Sequence, residues 1–396
     1  MKFLFILKLI LVGSFGLWAA LPGTSLWKLY VGALDESSVT LVWGTVDGKK
    51  ENTIGRGAAG KGPAKVRIGS KELTTNQSWL RVEGLEADRA YDYEVIVKGQ
   101  SVGKGTVRTW PKRANVLRFF VIGDWGNGSS LQYQLAERME AERKRMEGEG
   151  KPVRFVMSTG DNIYKGGSED RHWSKKFFVP YESTLKSIPF YAVPGNHDGN
   201  ESEAAADLPT YLDNFFAPQG EMKRWYGFRF ANFVDFFALD STTNQYPGAT
   251  APLYGAGGEQ SNWLQKELQK ERAPWRIAYM HHPMFTAGPR HVAMREKLQH
   301  WLDAFAAGGV SAVFAGHEHN LQFSERNAAT GGMQFVVSGA GGELRKGNVA
   351  ARMKSRNIAV WSAQVHFLVV EILGDEMTIR TVGLGPAVEA LKVPRR

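Results

Sequence analysis

Five short stretches of this 396-residue chain place metal-binding side chains directly after apolar runs. They are "GDWG" (Asp124), "GDNIY" (Asp161 and Tyr164), "GNHD" (Asn196, His197 and Asp198), "MHH" (His281 and His282) and "GHEH" (His317 and His319). A single Gly-Asp after an apolar run is ordinarily a turn. Five such endings in one region, dominated by Asp, Asn and His, require another reason. Carboxylate, amide and imidazole groups suit iron, zinc and manganese. The seven likely ligands in these stretches are more than one ion uses. A carboxylate offers two oxygens and can bridge two ions, so the chemistry indicated is that of a two-metal centre.

The segments carrying these residues alternate between apolar runs and helical stretches. "VLRFFVIGD" precedes the amphipathic "SSLQYQLAERMEAERKRMEG", which Ser129 or Ser130 can cap, and "VRFVMSTGD" follows. Further apolar runs lie in "IPFYAVPGNHD", "YGFRFANFVDFFALDS", "WRIAYMHHP", "VSAVFAGHEH", "MQFVVSGAGG" and "FLVVEILGDEMTIRTVG", with helices expected around Ser261–Arg272 and Met294–Ala307. This is an α/β layered domain, whose ligands collect at the carboxyl ends of the strands. Upstream, from Leu26 to Thr109, short alternating runs such as "VTLVWGTV" and "SWLRVEGLEADRAYDYEVIVKG" indicate a small β-sandwich. The Gly-rich "ENTIGRGAAGKGPAKV" reads as an exposed loop. The boundary falls in "WPKRAN", giving a β-domain over 23–112 and a catalytic domain over 113–396.

Hydrophobic residues at 43% and charged residues at 22% are globular values, sufficient for a sizeable core. The net charge of +9 is spread without a Lys/Arg block, which argues against a nucleic-acid partner and leaves small anions as the expected one. No cysteine is present, which excludes disulfides and thiolate ligands. The start, "MKFLFILKLILVGSFGLWAALPG", has the basic and apolar segments of a secretory signal over 1–22. Lys8 shortens its uncharged run below a comfortable membrane span. The mature chain is therefore expected to be exported, to the periplasm or beyond, without stable membrane insertion.

Taken in order, GDxG, GDxxY, GNHD, a His after the fourth run and GHxH resemble the purple acid phosphatases, within the calcineurin-like metallophosphoesterases. The likeness runs from Val116 to Gly383, and "QFVVSGAGG" continues it. The tyrosines of "AYDYEV" and the strand spacing give the N-terminal domain a resemblance to fibronectin type III. The resemblance implies a layered sandwich of two β-sheets flanked by helices. It makes Asp124, Tyr164 and His319 ligands of a ferric ion, with Asp161 bridging. Asn196, His281 and His317 would hold a second, divalent ion of iron, zinc or manganese. Either histidine of "YMHHP" could take the ligand place; the family pattern selects His281 and leaves His282 to the substrate or the surrounding shell. Ala278 stands where the family prefers Val. The resemblance also puts His197 near the leaving group and His291 toward the substrate. Asp198 is expected to orient an imidazole, and His172 and His300 to be structural or solvent residues.

The activity so implied is hydrolysis of small phosphate monoesters by a metal-activated hydroxide, with protonated His197 assisting departure of the alcohol. A phosphodiesterase would share the ligands. A secreted binding or adhesion module with a degenerate phosphatase domain would be marked by a lost ligand, and none is lost.

Overall fold

The computed structural model describes residues 26–46, 54–58, 62–165, 170–200, 208–218, 222–242, 254–347 and 349–396. The signal-like segment 1–22 lies outside them. Among the described residues no helix is long and apolar enough to cross a membrane.

The N-terminal region is all-β. Strands β1 (Leu26–Leu34), β2 (Val39–Val46) and β5 (Trp79–Val82) form a three-stranded antiparallel sheet. Strands β3 (Ala64–Ile68), β4 (Lys71–Thr75), β6 (Ala90–Val97) and β7 (Gln100–Arg108) form a second, ordered β4-β3-β6-β7. Alternation decides the buried face: Ala64, Val66 and Ile68 point inward while Arg67 is exposed. The Gly-rich stretch is not wholly an exposed loop. Its end is β3, and Ile54 is buried at 4% exposure.

A linker leads to β8 (Val116–Ile122), the centre of a six-stranded sheet. That sheet runs β10 (Phe190–Ala192), β9 (Val156–Ser158), β8, β18 (His366–Leu373), β19 (Glu376–Gly383), β20 (Leu391–Pro394). The second sheet has seven strands: β11 (Tyr226–Phe230), β12 (Val234–Ala238), β13 (Trp275–Tyr279), β14 (Ala312–Ala315), β16 (Gln334–Ser338), β15 (Leu321–Ser324), β17 (Ile358–Ser362). Phenylalanines from both sheets meet between them: Phe119 and Phe236 lie edge to face at 5.5 Å, and Phe228 stacks on Phe236 at 4.7 Å. Alternate residues of the seven-stranded sheet, Phe237, Ala278, Val313 and Phe335, face outward and belong to a separate core with Leu264, Leu268, Trp301 and Phe305. Those partners come from helices Glu259–Gln269 and Gln299–Ala307. The second helix begins later than its apolar pattern suggests, because residues 295–298 form only turns. Helix Ser130–Gly148 starts at Ser129, whose hydroxyl accepts from the Gln132 amide at 3.2 Å.

Trp110 plugs the seam between the two regions. It is 1% exposed and packs on Tyr191 and Phe230. The Tyr191 hydroxyl donates to Leu34 O at 3.0 Å and accepts from Leu34 N at 3.1 Å, so the N-terminal sheet is hydrogen-bonded directly to β10.

The positioning consequence lies in strand direction. Strands β8, β9 and β10 run parallel in one sheet, and β13 and β14 run parallel in the other. Each of these five ends in one of the ligand-bearing loops.

Candidate metal centre

The five loops converge. The Tyr164 hydroxyl lies 3.1 Å from Asp124 Oδ1 and 3.2 Å from His319 Nε2, and the latter two atoms are 3.3 Å apart. Beside this trio, His281 Nε2 sits 2.9 Å from Asn196 Oδ1, 3.2 Å from His317 Nδ1 and 3.4 Å from Asp161 Oδ2. Asp161 stands between the groups: ligand atoms of Asp124, Asp161 and His281 all fall within 4.8 Å of one another.

Hydrogen bonding at the second group shows what is missing. His281 Nδ1 faces Thr159 O at 2.9 Å, and a carbonyl only accepts, so Nδ1 carries a proton and Nε2 is the atom turned to the cluster. Around Nε2 are an amide oxygen, a carboxylate oxygen and another imidazole nitrogen. Asp161 Oδ2 is buried without a hydrogen bond. Buried acceptors converging on one point, one of them orphaned, fit a cation.

The protonation states agree. Burial alone would depress the His281 imidazole, but the Asp161 and Asp124 carboxylates outweigh it and raise its pKa to about 9, so the cluster favours positive charge at this point. Burial, followed by Asp124, Asp161 and Glu343, holds the Tyr164 phenol well above its usual range. A bound trivalent ion would reverse that last effect, favouring phenolate.

Backbone geometry explains the Gly-X motif of these loops. Asp124, Asp161 and His317 have φ of 56°, 51° and 68°, the left-handed region that non-glycine residues seldom occupy. Gly316 precedes one of them because a Cβ there would lie 2.4 Å from Asp124 Oδ2. Gly195 is required likewise, since its Cβ would fall 2.2 Å from Asp161 Oδ1.

Residues 117–321 match the calcineurin-like phosphoesterase family. The chain belongs to that family. Rat tartrate-resistant acid phosphatase type 5 is 30% identical over 255 residues, 58% of this chain and 73% of that protein. Purple acid phosphatase 17 of Arabidopsis thaliana is 28% identical over 254 residues, 58% of this chain and 70% of that one. The fold is also that of a purple acid phosphatase from yellow lupin (Lupinus luteus) seeds, with a TM-score of 0.68 at 14% identity over 93% of this chain and 74% of the other.

The remaining residues of this phosphoesterase site surround the two groups. His282 is buried with its ring 4.4 Å from that of His317, and its Nδ1 lies 3.1 Å from Ser241 Oγ. With His281 and His317 it forms a second cluster within ligand reach. Burial and then the neighbouring His281 charge push its pKa down to about 3. His291 is half-buried, its ring 3.9 Å from the His317 ring. Burial, then Arg345, lowers it to about 4. The His197 ring lies 4.5 Å from that of Tyr164, while its backbone N–H donates to Asp161 Oδ1 at 2.8 Å. His300 is elsewhere, 3.2 Å from Ser261 Oγ at the helix pair.

Two features of the phosphoesterase site were not read from the sequence. Glu318, fully buried between His317 and His319, accepts from the His291 amide at 2.9 Å and meets the Arg345 guanidinium at 3.3 Å. The loop after β16 is laced to the ligands: Gly342 N and Glu343 N both donate to Asp124 O at 3.0 Å, and Arg345 N donates to His319 O at 2.8 Å. An acid between two ligand histidines, and the "GGELR" after an apolar run, were the available signals. Asp198 was expected to orient an imidazole; its carboxylate also accepts from Gly195 N, Asn162 N, Ile163 N and Asn162 Nδ2 at 2.8–3.2 Å, tying two of the loops through amides.

Proposed function

We propose that this protein is a purple acid phosphatase that hydrolyses small phosphate monoesters at a centre of Fe(III) and a divalent ion. One observation carries the reading: a buried tyrosine hydroxyl within 3.2 Å of both Asp124 and His319, beside a second acceptor cluster on His281. A phenol among carboxylate and imidazole donors suits ferric iron, and Asn196, His281 and His317 suit iron, zinc or manganese in the divalent state. Asp161, with ligand atoms near both groups, would help to hold both ions. When bound, the metal pair supplies an activated water and neutralises charge on the phosphoryl oxygens.

The chain's own residues do the rest. His282 and His291, both held neutral by burial, offer N–H donors to phosphoryl oxygens without adding charge. His197, carried on the loop tied to Asp161, donates the proton that the leaving alcohol takes up. Ser241 and Glu318 fix the rings of His282 and the backbone of His291. The signal-like residues 1–22 support export, and the all-β region up to residue 112 is read as a fibronectin type III-like domain preceding a catalytic domain from 113.

The deciding experiment measures metal content, the visible spectrum and rates on monoester and diester substrates. The expected result is iron plus one divalent ion, a pink to purple colour that Tyr164→Phe abolishes, and preference for monoesters in acid. A colourless, fully active dizinc protein would remove the iron assignment; preference for diesters would replace the monoester reading.

A further inference from the structure

The metal centre stands at one end of β8. At the other end, eight residues and roughly 25 Å away along an extended strand, a cavity of about 340 Å³ opens on the seam between the two regions. Asp88, Arg108, Arg118, Glu147, Pro152 and Arg154 line it. The N-terminal region supplies Asp88 and Arg108, and the catalytic layers supply the rest.

Three arginines line this cavity, and its acids are already engaged. Arg108 Nε donates to Asp88 Oδ1 at 3.0 Å, and Arg154 Nη2 donates to the same oxygen at 3.1 Å. Glu147 is held by Arg143 at 2.7 Å. Arg118 is anchored through Nε to Glu371. Arg108 and Arg118 are thus both fixed by Nε, and their Nη atoms make no hydrogen bond among the described residues. An arginine held by Nε presents its paired Nη donors in the geometry that phosphate oxygens accept. Burial comes first in lowering the Arg154 pKa; Asp88 opposes it, and Arg108 and Arg118 add to it. The lining holds three arginines against two carboxylates, Asp88 and Glu147, with Glu371 paired to Arg118 from outside it.

We propose that this cavity is an anion site for a phosphate dianion, either inorganic phosphate or the phosphate group of an ester, gripped by the Nη atoms of Arg108 and Arg118 above Arg154. The site is separate from the metal centre and does not depend on how that centre is read. Its ligand bridges the N-terminal sheet and the catalytic sandwich.

Calorimetric titration of the metal-loaded protein tests this, with inorganic phosphate and with phenylphosphonate, an unhydrolysable ester mimic. The wild type should show one more binding event than R108Q/R118Q, while the double variant keeps turnover within about twofold. Tighter binding of inorganic phosphate at that event identifies the free ion, and tighter binding of phenylphosphonate identifies an ester group. If the double variant does not fold, R108Q alone, at a side chain 44% exposed, should weaken the event about tenfold. The same number of events and the same affinities in wild type and variant would overturn the proposal, leaving only an ion-pair network across the seam.

Discussion

Acid should destabilise this protein through one histidine outside the metal centre. His366, in β18, is fully buried. Its Nδ1 donates to Gln364 O at 2.8 Å, so Nε2 is left to accept from the Ser338 hydroxyl at 3.1 Å. Acceptance from Ser338 needs the neutral ring, while the bond to Gln364 O would survive protonation, and burial pushes the pKa down to about 4. The unfolded chain keeps a histidine near its ordinary value of about 6.5. Between these values the unfolded state binds a proton that the folded state refuses, so stability falls as pH falls. The two pKa values convert to a loss of about 2.5 kcal/mol between about pH 7.5 and about pH 4.5. Urea titrations of wild type and His366→Gln across that range measure it. The Gln variant starts less stable, because one bond is lost, but its curve should lack this pH-dependent component. Other titrating groups, the metal ligands included, cancel in the difference between the two proteins. If the two stability curves run parallel from neutral pH to about pH 4.5, His366 is not held neutral and the reasoning fails.

Asp161→Asn should weaken both metals together, whereas His319→Ala should mainly remove the ferric ion; metal analysis showing both ions retained in the Asn variant would end the bridging assignment. His197→Ala should leave metal content unchanged and slow hydrolysis of alkyl phosphates by about 10²–10⁴-fold, with a much smaller effect on esters of acidic phenols. Equal losses on both substrate types would make His197 a charge clamp or a ligand instead. Glu318→Gln keeps an oxygen for the His291 amide but frees Arg345, so KM should rise about tenfold with metal content and kcat near wild type. Loss of metal from that variant would show that Glu318 serves the ligand turn and not the substrate side.

The chemistry was legible because each of the five loops directly follows a short apolar run of the kind that forms a buried strand. The rule that sites gather at carboxyl ends brings Asp124, Asp161, the Asn196–Asp198 run, the His281–His282 pair and His317 together, and the resemblance to the purple acid phosphatases chose the ligands among them. Less was legible where the pattern is short or the face is not apolar. Strand β4, "KELTT", is an edge strand with Leu73 37% exposed, and β3 is hidden behind glycines. Strands β15, β17 and β20 span four or five residues each, too few for a periodicity to show.

Tertiary structure alone decided how the site is held. Residue types at 161, 281 and 317 specify ligands, but only the fold puts Thr159 O behind His281 and so settles which nitrogen faces the cluster. The Asp198 carboxylate accepts from amides of a loop more than thirty residues away, a tie that residue type alone does not specify. Glu318 and Arg345 joined the site through a carboxylate and backbone contacts between segments distant along the chain. The cluster of Arg108, Arg118 and Arg154 at the seam exists only because two regions dock there. The physical reason is common to all four. Local sequence fixes backbone preference and side-chain chemistry, while hydrogen-bond partners and charge neighbours are set by which distant segments packing brings within about 3 Å.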